Sequence, residues 1–424
     1  MAEIKEFKGL LYDSDIVGDM SSVIAPHCHS AEEETIKKFY ASHPFNVIRL
    51  EYPSSVSEKS DEKYTVAAET LRKWLETGIL KADEENCIYV YEQEYIINEQ
   101  TIKNRGIICC VKLEDKNIIS GKTTNYKMCD AYKSDRYNLM RATETEFSSI
   151  FSIYRDEDKT VAPLLETSAA PDIDFKDVYD ITHRIWRISD SKKITDIKQA
   201  FKHKKLVIAD GHIRYETAVN YKNKMKSEVV EYSGKESFNY VMMNLMPVTD
   251  NAPSVLAVHR IIKNKQGYDS EAVMETISAA FNVEKSYIRD YDCDKIAAKL
   301  LSEKENHAIA MFSGKDYYYI LTPKNEVPED VTDAELLHNE ILYKIFGVND
   351  ENVKKHIAFT TSIYEAEKSV REGEAQYAFY LNPMTASVYF DLNEEGKTLP
   401  KRTNSFYPKL MMGIVMNKFD EQEV

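Results

Sequence analysis

One stretch of this chain concentrates groups able to hold and move a charged substrate: Leu206-Val207-Ile208-Ala209-Asp210-Gly211-His212-Ile213-Arg214-Tyr215-Glu216-Thr217-Ala218. It reads as a buried strand, a one-glycine turn and the opening of a helix. An acid, an imidazole and a guanidinium fall within residues 210–214. A helix start offers free backbone N–H groups and a partial positive charge, so it seats an anion. An arginine in the first turn sits badly against that positive end, and a bound anion removes the conflict. The turn is therefore expected to hold the phosphate of a nucleotide or of a small phosphorylated metabolite.

Each residue of the turn has a chemical use and a plainer one. Gly211 permits a positive φ or a close backbone approach. Asp210 could orient a hydroxyl, a metal or His212. His212 has a reference pKa near neutrality and could serve as general acid or base. Arg214 supplies a planar fork suited to phosphate oxygens. In the plainer reading Asp210 caps or turns the chain and Arg214 makes a surface ion pair.

Three further clusters set an arginine beside a histidine or an acid. Residues 182–187 alternate as a strand does, with His183, Ile185 and Arg187 on one face and Arg184 and Trp186 on the other. His259 adjoins Arg260, and residues 46–51, which alternate as a strand does, carry Arg49 and Glu51. Each alone is ordinarily structural, but their recurrence in an acidic chain leads us to expect that some converge on an anion pocket. The His27-Cys28-His29 spacing suits two metal ligands, yet no second ligand pair accompanies it, and no metal site is assigned. No Walker loop, GxGxxG, GxSxG or HExxH occurs.

The elements that must position these groups follow from periodicity. Helices are expected at 31–42, 61–77, 134–150, about 192–202 and 212–226. In the second, Tyr64, Ala67, Ala68, Leu71, Trp74 and Leu75 share one face. Strands are expected at 87–95 and 106–113, paired with each other, and at 182–188 and 206–209. Beyond Pro253, strands at 254–262, 283–288, 307–312, 317–321, 377–381 and 386–390 mix with helices at 270–281, 293–303 and 333–346. That alternation suits a small α/β sandwich. The tail at 405–410 is too aromatic for a disordered end and is expected to return to the body.

The chain has 424 residues, 43% hydrophobic and 29% charged, enough for two or three domains. Its net charge of −15 argues against a nucleic-acid or anionic-membrane binder. No apolar run approaches the roughly 18–20 residues that cross a bilayer, and no signal-peptide core stands at the start. A cytoplasmic location is expected. The six cysteines are scattered without a CxxC pair, so neither disulfides nor a structural zinc is expected. Nothing in the sequence sets an oligomeric state.

These residues resemble the bacterial family of unknown function numbered 1015 over nearly the full chain. The likeness rests on Phe7-Lys8-Gly9-Leu10, Asn46 with Arg49-Leu50-Glu51, Tyr89-Val90-Tyr91, Ser134-Asp135-Arg136 with Arg141-Ala142-Thr143, and His183-Arg184 with Trp186. It extends to Asp210-Gly211-His212 with Arg214 to Ala218, His259-Arg260, Leu337-His338 and Phe406-Tyr407-Pro408-Lys409. The DGHxR box is also similar to that of the ParB/sulfiredoxin-like superfamily, which includes nucleotide-binding partition proteins, sulfiredoxin and enzymes that phosphorylate free serine. The chain departs from the family at Ala25–His29, at Ser120–Thr123 and at Ile213, where members carry further polar motif residues.

The resemblance implies an α/β (α+β mixed) fold with a ParB/sulfiredoxin-like core and a C-terminal α/β subdomain. We divide the chain into an N-terminal region at 1–165, the core at 166–265 and the C-terminal subdomain with its docking tail at 266–424. The expected function is phosphotransfer from ADP or ATP, with Mg2+, to a small hydroxyl metabolite such as serine. Asp210, His212 and Glu51 are the expected catalytic groups. Gly211, Arg214, Arg49, His183, Arg184, His259, Arg260 and Arg136 are the expected phosphate or nucleotide contacts. The alternatives are a phosphomonoester hydrolase and a non-catalytic nucleotide or metabolite sensor.

Overall fold

The computed structural model describes residues 2–27, 33–53, 61–97, 99–114, 116–119, 122–123, 130–250, 252–263, 268–287, 289, 291–349, 352–400 and 402–419. Cys28, His29, Ser120 and Gly121 lie outside them. The fold mixes helices and sheets in an α+β arrangement. The chain divides into two compact units. The first comprises Met1–Ser120, Lys127–Pro253 and Pro408–Val424, and the second Gly121–Tyr126 and Ser254–Tyr407.

Among the described residues, the first unit is built on a nine-stranded sheet. Its order is Ile173–Lys176, Thr182–Ile188, Ile88–Ile97, Gln100–Lys112, Tyr240–Pro247, Ile150–Tyr154, Leu206–Asp210 and Ile118–Ile119, with Ile4–Lys5 also paired to Gln100–Lys112. The expected 87–95 and 106–113 pair forms the long antiparallel hairpin Ile88–Ile97 with Gln100–Lys112. Ile150–Tyr154 runs parallel to Tyr240–Pro247 and antiparallel to Leu206–Asp210. Leu206–Asp210 is apolar almost throughout because both of its faces are covered. Leu206 and Ile208 join the core that the helices Ser191–Phe201 and His212–Glu228 pack onto the sheet through Ile194, Ile197, Phe201, Ala218 and Tyr221.

The second unit holds a six-stranded antiparallel sheet in the order Phe281–Ser286, Tyr318–Pro323, Ile309–Phe312, Ala375–Tyr380, His259–Lys263, Ile357–Thr360. Period-2 alternation sends Ile309 and Met311 to one core and Ala310 and Phe312 to another, so helices cover both faces. Ser270–Ala280 packs on the first face, and Cys293–Ser302 and Ile363–Arg371 on the second.

Four expectations are corrected. The helix expected at 134–150 ends at Thr143, and Ile150–Tyr154 is a sheet strand. Residues 46–51 form a helical turn, Ile48–Glu51, with the Asn46 side chain bonded to the Ile48 amide. Residues 386–390 belong to the helix Ala386–Glu394, because the Thr385 side chain caps it by accepting from the Val388 amide. The strand expected at 254–262 breaks at Val258 into Ser254–Ala257 and His259–Lys263, which pair with different partners.

Candidate functional site

Asp210 ends its strand, and Gly211 turns the chain with φ 96°, ψ 22° directly into the helix His212–Glu228. That left-handed conformation suits glycine, since a Cβ there would be strained. A Cβ would also stand 3.0 Å from Nε and NH2 of Arg214, whose guanidinium folds back over the Gly211 backbone. Among the described residues no side chain caps the helix. The Gly211 amide donates to its neighbour Asp210 Oδ1 at 2.8 Å. The amides of His212, Ile213 and Arg214 make no hydrogen bond among the described residues. The loop thus presents three peptide N–H groups and a guanidinium.

The groups around the loop come from distant parts of the first unit. Arg214 NH1 donates to Ser148 Oγ at 2.7 Å. Ser148 Oγ lies 3.2 Å from His27 Nε2, and His27 Nδ1 is 3.5 Å from the Tyr52 hydroxyl. The Arg136 guanidinium stacks on the Tyr52 ring at 4.8 Å. Arg136 also donates to Glu51, at 2.8 Å to its carbonyl and 2.9 Å to Oε1, and to Asp135. A continuous line of contacts therefore joins the expected residues Glu51 and Arg136 to the loop through Tyr52, His27 and Ser148.

Three titratable groups at the loop are shifted from their ordinary values. Burial works against ionisation of Asp210, but the cations of Lys409 and Arg214 outweigh it and hold the carboxyl far below its usual range. Lys409 Nζ donates to Asp210 Oδ2 at 3.0 Å. Burial depresses the pKa of His212 against the pull of Asp210, and its Nε2 is buried without a hydrogen-bond partner among the described residues. His212 is therefore a neutral imidazole at pH 7. Glu146 accepts from the Met242 amide and from Asn417 Nδ2, both 2.9 Å from Oε2. Burial pushes its carboxyl up to about 7, with the nearby Arg214 cation opposing.

The other expected contacts are used otherwise. His183 is fully buried between Phe175 and Tyr91, with Nδ1 2.7 Å from the Tyr91 hydroxyl and Nε2 3.1 Å from Asp177 Oδ2. Arg184 meets Glu92 at 2.9 Å, Glu94 at 2.8 Å and Asp174 at 3.4 Å, so carboxylates already surround it. Arg49 stacks on the Tyr40 ring and donates to the Tyr40 carbonyl at 2.6 Å. His259 and Arg260 belong to the second unit, where burial lowers the imidazole to about 4.

The carboxylates that the sequence offers to Mg2+ do not fit a resident cation. Both oxygens of Asp210 are engaged, and Glu51 is tied to Arg136. Sequence reasoning missed Ser148, Lys409, Tyr52 and Glu146. Ser148 and Glu146 lay inside the misread helix. Lys409 stood in the quoted 406–409 motif without an assigned role.

The fold and the loop define a mixed α/β protein whose central sheet delivers an uncapped, cationic helix start. The chain belongs to the family described as "Protein of unknown function (DUF1015)", which it matches over residues 4–343. No curated protein matches it. Several solved structures resemble it at a distance. A conserved hypothetical protein from Pyrococcus furiosus is 13% identical, with 69% of this chain and 90% of that chain covered and a TM-score of 0.32. A free serine kinase in complex with AMP is 12% identical, with 72% and 90% covered and a TM-score of 0.34. C-terminally truncated SbnI from Staphylococcus aureus is 9% identical, with 72% and 85% covered and a TM-score of 0.35. Likenesses this distant carry no argument about the chemistry of this chain. Among the described residues, no helix is long and apolar enough to cross a membrane.

Proposed function

We propose that the 210–214 loop receives the phosphate of a nucleotide or phosphorylated metabolite. We propose further that the protein transfers phosphate from ADP or ATP to a small hydroxyl metabolite such as serine. One observation carries the reading: the Arg214 guanidinium lies over Gly211 beside first-turn amides that have no acceptor of their own among the described residues. The resemblance of the DGHxR box to the ParB/sulfiredoxin-like one supports it.

In this reading the amides and Arg214 hold the phosphoryl oxygens. The acceptor oxygen forms its bond to the terminal phosphorus as the bridging P–O bond breaks. The nucleotide leaves one phosphate shorter, and the hydroxyl proton passes to a carboxylate. Asp210, locked as an anion by Lys409 and Arg214, is too weak a base to take it readily. Glu146, near 7, matches neutral pH and is the better acceptor. His212, neutral, is placed to donate or accept a hydrogen bond rather than to add charge.

The ion pair that ties up Asp210 favours a second reading, binding without turnover. A coupled assay with ADP or ATP, with and without serine, separates the two. Serine-dependent loss of one phosphate from the nucleotide supports transfer. Phosphate release without an acceptor points to hydrolysis. Thermal stabilisation by nucleotide without either product supports a sensor, because a ligand of the folded state raises its stability.

A further inference from the structure

Arg260 is buried to 2% exposure on the strand next to one edge of the second unit's sheet. Its NH1 donates to the Val258 carbonyl and its NH2 to the Arg402 carbonyl at 3.3 Å. Both acceptors are neutral peptide oxygens. Among the described residues no carboxylate forms an ion pair with it, and burial alone brings its pKa down to about 10. A guanidinium withdrawn from water without a counter-ion is costly to the fold.

The neighbours add donors and positive charge. Arg260 lies 5.6 Å from the centre of the Phe359 ring, and a second guanidinium, Arg402, lies 5.5 Å from the same ring. Arg402 sits at φ 52°, a left-handed conformation that side chains seldom adopt. Asn404 pairs with Ala257, next to the Val258 that meets Arg260, and its Nδ2 is buried without an acceptor among the described residues. Arg402 is exposed and Phe359 is half-buried, so the cluster is open to solvent on that side.

We propose that Arg260, Arg402 and Asn404 form an oxyanion site in the second unit, for a phosphoryl or carboxylate group of a small molecule. The bound group supplies the missing counter-charge to Arg260, accepts from Arg402 and satisfies Asn404. It is independent of the 210–214 loop, which draws its donors from the first unit.

The test uses the full chain carrying Arg214→Ala, which removes the first loop's fork. Sulfate and acetate are titrated against chloride at equal ionic strength, and the Asn404 side-chain amide is followed by NMR with calorimetry alongside. Asn404→Leu assigns the signal. The expected result is a saturable shift with sulfate or with acetate, absent with chloride. The stronger of the two distinguishes a phosphoryl from a carboxylate ligand. Arg402→Gln, at an exposed position, should weaken binding at least about tenfold in a variant whose unfolding midpoint matches wild type, the scale of one charge-assisted contact. No saturable shift with either anion would overturn the proposal, as would affinity unchanged in both Arg402→Gln and Asn404→Leu.

Discussion

Lys409 Nζ lies 3.0 Å from Asp210 Oδ2, so a lysine near the end of the chain neutralises the acid that opens the loop 199 positions earlier. The pair is 42% and 40% exposed, which limits its worth to about 1 kcal/mol or less. Asp210 titrates below its unfolded value of 3.8, so the stability it contributes is present above that pH and is lost as the pH falls below it. Lys409→Met should therefore destabilise the protein slightly at pH 7, and that cost should disappear in an Asp210→Asn background, where no charge is left for the lysine to meet. Urea unfolding of wild type, the two single variants and the double variant at pH 7 measures this. An equal cost of Lys409→Met in both backgrounds would show that Lys409 acts by packing.

Glu146 titrates in the opposite sense. Its carboxyl holds its proton up to about 7 in the fold, against 4.5 in the unfolded chain. Between those values the unfolded chain gives up a proton that the folded chain keeps, so stability falls as the pH rises through that window. Glu146→Gln keeps an oxygen for the Met242 and Asn417 donors and removes the charge. Its Tm should exceed that of wild type at pH 8 and match it near pH 4.5. If transfer activity is found, the same variant should lose it across the whole pH range while still binding nucleotide.

His183 separates a structural residue from a ligand contact. Both of its ring nitrogens are engaged, by Tyr91 and Asp177, and it has no exposed surface. His183→Ala should cost roughly 3 kcal/mol in denaturant unfolding, for a buried ring and two hydrogen bonds. Nucleotide affinity of the folded variant should stay within about twofold of wild type. A large loss of affinity without loss of stability would return His183 to the binding site.

Local pattern carried the reading of the sheet and of the loop. The 206–209 strand, the single glycine and the 212–226 helix all follow from neighbouring residues, and Leu206–Asp210, Gly211 and His212–Glu228 stand there. Helical periodicity over 134–150 hid the break after Thr143, where the chain leaves its helix to present Glu146 and Ser148. Aromatic and β-branched residues at 386–390 suggested a strand, and one threonine cap outweighed them. The partners of Arg214 and Asp210 were illegible for another reason. Ser148 lies 66 positions away and Lys409 199, and no local rule links such distances. Arg184 was ambiguous in the sequence because its three carboxylates come from other strands.

The central claim is that peptide amides and Arg214 together form an oxyanion receptacle at residues 211–214. Calorimetric titration of ADP into wild type and Arg214→Ala tests it most directly. Losing one charge-assisted contact should weaken ADP binding by about 10–100-fold in Arg214→Ala. Equal ADP affinity in wild type and a folded Arg214→Ala would contradict the account.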